Sequence, residues 1–179
     1  LAKKFLLKAY QEIIQWVNSF HEKGETIQAA EFLITEYNFN HPNFKGFELR
    51  EKAKPDFILM TTEGILGGPQ IIRIPKNTFE FPLNLMLNLL AHEMIHVQQK
   101  AKDTLITDKN EREWQAYYEN LFHKQFPQIP ELSDFHKKAF ASKALDYYNR
   151  MEVGSELQLK YAEEKEEVER LLKLLTSIS

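Results

Sequence analysis

The chain of 179 residues carries 26 acidic residues against 23 Lys and Arg, a formal charge of -3, which excludes the strongly basic surface that nucleic acid requires. Its 43% hydrophobic content, with 13 Phe, suffices for one cored domain, and only 6 Gly and 7 Pro exclude a fibrous or low-complexity chain. Cysteine is absent, so there is no disulfide framework and no thiolate metal site; any metal must be held by His and carboxylates.

Residues 2–22 read as an amphipathic helix, with Phe5, Ala9, Ile13, Val17 and Phe20 at three- and four-residue spacing and Gly24 as the stop. This spacing differs from the continuous apolar run of a signal peptide, so a cytoplasmic location is expected. A second helix is expected over 26–36. From Asn38 to Pro55 the aromatics, Pro42 and Gly46 read as loop with room for one short strand. Two apolar runs follow, at 57–61 and 70–74, separated by the turn-rich EGILGGP. Pro75 closes the second run and suggests an edge strand there.

Pro82 opens a helix that runs to about Lys100, striped by Leu83, Leu87, Leu90, Met94 and Val97. Asn84 and Asn88 interrupt its most apolar part, so no membrane partner is expected. Asp108 followed by Glu111 starts a helix over 109–125, ended by Pro127 and Pro130. Ser133 or Asp134 starts another, reaching Arg150. After Gly154, Ser155 and Gln158 form a capping box for a last helix to about Ile178. No internal repeat is present. Residues 1–150 are expected to form one domain with its core at about 56–120. Residues 151–179 are expected to form a helix that packs on it or faces a partner.

The decisive segment is AHEMIH at 91–96. On a helix His92 and His96 project from one face, one turn apart, and two imidazoles so placed reach a single zinc ion. Glu93 is poorly placed as a ligand but able to reach a water on the metal. The plain alternative is a pair of surface histidines. Against it stand the apolar character of the helix, the strand signal before it and the carboxylate-bearing helix after it. A third ligand is best sought in EREWQAYY at 111–118. Glu113, seventeen residues after His96, is preferred because Ala116 permits close helix approach. Glu111 and His123 are the other candidates. His21, His41 and His136 show no ligand spacing. Tyr117, Tyr118, Tyr147 and Tyr148 are candidate oxyanion donors by residue type, and Tyr117 or Asp146 candidate orienters of the imidazoles.

The pattern HExxH with a Glu on a following helix resembles the gluzincin branch of the zincin metallopeptidases, over about residues 56–120. The run QIIRIPKNTFEFPLNLMLNLLAHEMIHVQQ also resembles SprT-like domains. These take a His as third ligand shortly after the motif, and none lies between His96 and His123 here. The resemblance implies an α+β, mostly helical zincin-like fold, a Zn2+ cofactor and a peptide or protein substrate. It further implies Glu93 as general base and strand addition along Ile71, Ile72, Arg73 and Ile74. Two other functions remain open: a zinc-stabilised binding protein without activity, and a zinc amidase acting on a non-protein substrate.

Overall fold

A computed structural model describes residues 2–177, with side chains from Ala9 onward. Phe5 of the first helical stripe and the expected end of the last helix at Ile178 lie outside these. The chain is α+β and mostly helical. In order it forms α1 (Ala2–Glu22), α2 (Thr26–Glu36), β1 (Phe44–Arg50), β2 (Thr61–Glu63), β3 (Gln70–Pro75), α3 (Leu83–Gln99), α4 (Lys109–Phe122), α5 (Asp134–Arg150), α6 (Glu156–Lys160) and α7 (Ala162–Ser177). Among the described residues no helix is long and apolar enough to cross a membrane.

The three strands form one sheet in the order β1-β3-β2. β2 and β3 are antiparallel, with Thr62 opposite Ile72, while β1 runs parallel to β3 with Phe47 opposite Ile72. β3 is therefore the central strand, and its expected role as an edge is corrected. Ile72 and Ile74 are fully buried between neighbours on both sides. Pro75 costs no ladder bond because it is the terminal residue, and the Lys76 amide continues the pairing by donating to the Arg50 carbonyl at 3.1 Å. The run at 57–61 is also corrected. Only its last residue enters β2, while Phe57 makes a lone bridge to Lys54. Gly64 turns the chain between β2 and β3 at φ +149°, where an added Cβ would lie 2.4 Å from the Pro69 carbonyl. Buried Gln70 ties the same loop by donating to the carbonyls of Ile65 and Gly68.

Two apolar clusters share α4. The larger packs α2 and the sheet against α3 through Leu33, Ile72, Leu90, Met94 and Val97, and accepts Ala116 from α4. The smaller joins α4, α5 and α7 around Trp114, with Ala141, Ala144, Tyr161 and Val168. Side-chain caps start three helices as the sequence reads: Asp108 accepts from the Glu111 amide, Ser133 from His136 and Ser155 from Gln158. The last helical segment is two helices rather than one, with α6 ending at Lys160 and Tyr161 between them.

Sheet on one side and α4 on the other leave α3 buried from Leu85 to Val97 except at half-buried Leu89. A helix so enclosed is expected to be apolar throughout. Asn88, His92, Glu93 and His96 break that rule, and each such group must find a partner.

Candidate metal centre

His92 and His96 stand one turn apart on α3, their ring centroids 4.8 Å apart and their planes at 85°. Glu113 comes from the facing side of α4, which the fully buried Ala116 allows to approach closely. Glu113 Oε2 lies 3.5 Å from His92 Nε2 and 3.6 Å from His96 Nε2. Among the described residues this is the one group of three side chains able to hold a metal, with all ligand atoms within 4.8 Å of one another. Two donors each about 2.0–2.1 Å from a tetrahedral zinc lie roughly 3.4 Å apart. The Glu113 separations therefore match a zinc site, and the two-imidazole, one-carboxylate donor set is one that zinc takes while keeping a further position open.

The outward ring nitrogens are fixed by amides. His92 Nδ1 bonds Asn120 Oδ1 at 2.8 Å, and Asn120 Nδ2 donates to the Asn88 carbonyl at 2.7 Å. His96 Nδ1 bonds Gln99 Oε1 at 2.8 Å, and Gln99 Nε2 donates to the Arg112 carbonyl and to Gln115 Oε1. Each amide nitrogen is committed to an acceptor, so each amide oxygen must face the imidazole. In its neutral form each ring then carries its proton on Nδ1 and presents a bare Nε2, and in its charged form it points a second N–H from Nε2 at Glu113. The expected orienters are corrected. Tyr117 packs its ring edge-on against His92 at 4.6 Å without a hydrogen bond, and Asp146 is exposed on α5.

Burial opposes charge on His92, but the bonds and charges of Glu113 and Glu93 outweigh it and raise its pKa. Burial likewise opposes ionisation of Glu113, and the facing imidazoles of His92 and His96 outweigh it, holding this carboxyl well below the ordinary range. The pocket thus stabilises a carboxylate facing positive charge, the electrostatic condition a cation site needs.

Glu93 is buried on the same turn as His92. Its Oε2 accepts a hydrogen bond from Thr62 Oγ1 at 2.7 Å, which aims the carboxylate from β2. All four groups open into one cleft of about 460 Å³. Ile58, Leu59, Met60, Thr61 and Thr62 form one wall, which explains why the 57–61 run is apolar without being a paired strand. Residues Ile71 to Ile74 do not line it, because β2 stands between β3 and the cleft.

Of the four tyrosines, Tyr117 and Tyr147 line the cleft and stack at 5.9 Å. Burial first, then the Glu113 charge, raises both pKa values and keeps the phenols protonated as donors. Tyr118 is bonded to Glu167 instead, and Tyr148 donates to the Gln158 carbonyl and packs on Trp114. Neither reaches the cleft.

The other ligand candidates are also placed elsewhere. Glu111 turns toward the C-terminal segment and accepts from Lys160 Nζ at 2.8 Å and Tyr161 OH at 2.6 Å. His123 terminates α4 in the left-handed conformation and bonds Asn88 Oδ1. Sequence reasoning missed Asn120, Gln99 and Thr62. Asn120 had a signal, since Glu113, Tyr117 and Asn120 recur at helical spacing on one face. Thr62 had none. Comparison of the chain with family models, curated proteins and solved structures finds no match.

Proposed function

We propose that this chain is a zinc-dependent peptidase, built as in the gluzincins on His92, His96 and Glu113 with Glu93 as general base. The observation that carries the reading is the coincidence of four features in one open cleft. Three ligand atoms converge, both imidazoles present a bare Nε2, a carboxylate lies beside them, and phenol donors stand opposite. A purely structural zinc needs neither the base nor the cleft. When bound, zinc would polarise a substrate carbonyl and lower the pKa of a water to about 7.

The protein's own groups supply the remainder. Glu93, held by Thr62, takes the proton from the attacking water and returns it to the departing amine nitrogen. Tyr117 or Tyr147 donates to the negative charge that develops on the carbonyl oxygen. Asn120 and Gln99 hold the imidazoles in their ligating tautomer throughout. An extended peptide would lie along residues 58–62, the wall nearest Glu93. The Thr62 carbonyl is already taken by Lys100 Nζ at 2.8 Å, so strand pairing would use the residues before it.

The test is Glu93→Gln in protein purified without a His-tag. The reading expects unchanged zinc content, assayed by mass spectrometry, with hydrolysis of a peptide mixture abolished. Equal hydrolysis by wild type and variant would refute it.

A further inference from the structure

The cleft has a polarity that the ligand set alone does not require. α3 and α4 pack antiparallel: Gln99 meets Arg112 at one end, and Asn88 meets Asn120 at the other. One turn beyond each ligand the two helices therefore place matched chemistry. At one end stand Lys100, a turn after His96, and Lys109, a turn before Glu113, together with Arg112. At the other end stand Leu89, a turn before His92, and Tyr117, a turn after Glu113, joined by Phe140 and Tyr147 from α5.

Among the described residues none of Lys100, Lys109 and Arg112 forms an ion pair with a carboxylate. Two of them are nevertheless held in place. Lys100 Nζ donates to the Thr62 carbonyl, and Arg112 donates to the carbonyls of Ile106 and Thr107 at 2.9 Å. Burial, then the nearby Arg112 charge, lowers the Lys100 pKa, although Glu93, Glu113 and Glu63 pull the other way. Three positive charges lining one cleft, two of them held by neutral acceptors, focus a positive potential there.

We propose that the cleft selects a peptide bearing a carboxylate, as an acidic side chain or a free C-terminus, against Lys100, Lys109 and Arg112 on one side of the reacting bond, and a bulky apolar side chain against Tyr117, Phe140 and Tyr147 on the other. This rests on the peptidase reading for its reaction but not for its binding. The arrangement disfavours a substrate with Lys or Arg at the cationic end, because that charge would meet three of its own sign.

The test is calorimetric binding to the zinc-treated Glu93→Gln protein. The probes are short peptides with a central Phe, differing only in Asp, Asn or Lys beside it, each made with a free and an amidated C-terminus. The Asp peptide is expected to bind about tenfold more tightly than its Lys counterpart, as for a desolvated charge contact. Lys109→Glu, at an exposed first position of α4 where an acid suits the helix dipole, changes the local charge by two and should nearly flatten the order. Arg112→Gln, which removes one charge, should narrow it. If affinity follows the free terminus in the amide pairs, the chain end is the recognised carboxylate; if it follows Asp, the side chain is. Either supports the proposal. Equal binding of Asp, Asn and Lys peptides with no effect of amidating the C-terminus, or no binding by any, overturns it. A charge preference without hydrolysis by zinc-loaded wild type overturns the peptidase reading alone. Hydrolysis without a charge preference overturns this inference alone.

Discussion

Removing the Asn120 side chain tests whether the hydrogen bond behind His92 controls the metal. Asn120 is 1% exposed and joins His92 Nδ1 to the Asn88 carbonyl. In Asn120→Ala the Asn88 carbonyl loses an accessory donor, whereas the buried Nδ1–H loses the sole acceptor it has. An unpartnered buried donor costs about 1–3 kcal/mol. The imidazole is then free to rotate or to move its proton to Nε2, where it no longer ligates. Loss of such an outer partner weakens zinc binding by about 10–100-fold, or roughly 1.4–2.8 kcal/mol. The assay is competition for zinc against a chromophoric chelator, run beside thermal denaturation of the metal-free protein. The expected result is that loss of affinity with a metal-free fold that still unfolds cooperatively. An affinity within twofold of wild type would refute the claim that Asn120 orients the ligand.

Thr62→Val keeps the shape of the side chain but removes the donor to Glu93. It should lower kcat about tenfold with zinc content unchanged, and an unchanged kcat would dismiss the positioning role. Tyr161→Phe strips one of the two donors from the buried Glu111 carboxylate, costing about 1–2 kcal/mol; thermal denaturation should show a fall in Tm of about 2–8 °C. Burial raises the pKa of Glu119 despite hydrogen bonds from the Phe126 and Gln125 amides, so the folded state holds that proton more tightly than the unfolded one. Wild type should therefore lose stability relative to Glu119→Gln as pH rises from below 4.5 through its folded pKa. Chemical denaturation at pH 4 and pH 7 reads the difference, and a wild type that holds or gains stability relative to the variant on going to pH 7 would contradict it.

The parts of the fold written in local spacing were legible in the sequence. The His92–His96 pair needs only the helical repeat, and the caps at Asp108, Ser133 and Ser155 need only three-residue offsets. Glu113 was reachable because Ala116 signals a close helix contact. Long-range pairing was not legible. β1 is a strand because it lies parallel to β3, some twenty-six residues later, and FKGFELR shows no clean alternation of its own. That pairing made β3 central and moved the cleft wall to residues 58–62. There an apolar run is held open to the cleft instead of being paired. Gln99 lies one turn after His96 on α3 and Asn120 shares a face of α4 with Glu113, so helical spacing could have found both, whereas Thr62 depends on how β2 meets α3, which no spacing within a single element encodes.

Anomalous diffraction at the zinc absorption edge, on crystals of untagged protein, bears most directly on the metal. A single strong peak is predicted within about 2.0–2.1 Å of Nε2 of His92, Nε2 of His96 and a carboxylate oxygen of Glu113. A peak elsewhere, or none after incubation with one equivalent of zinc, would contradict it.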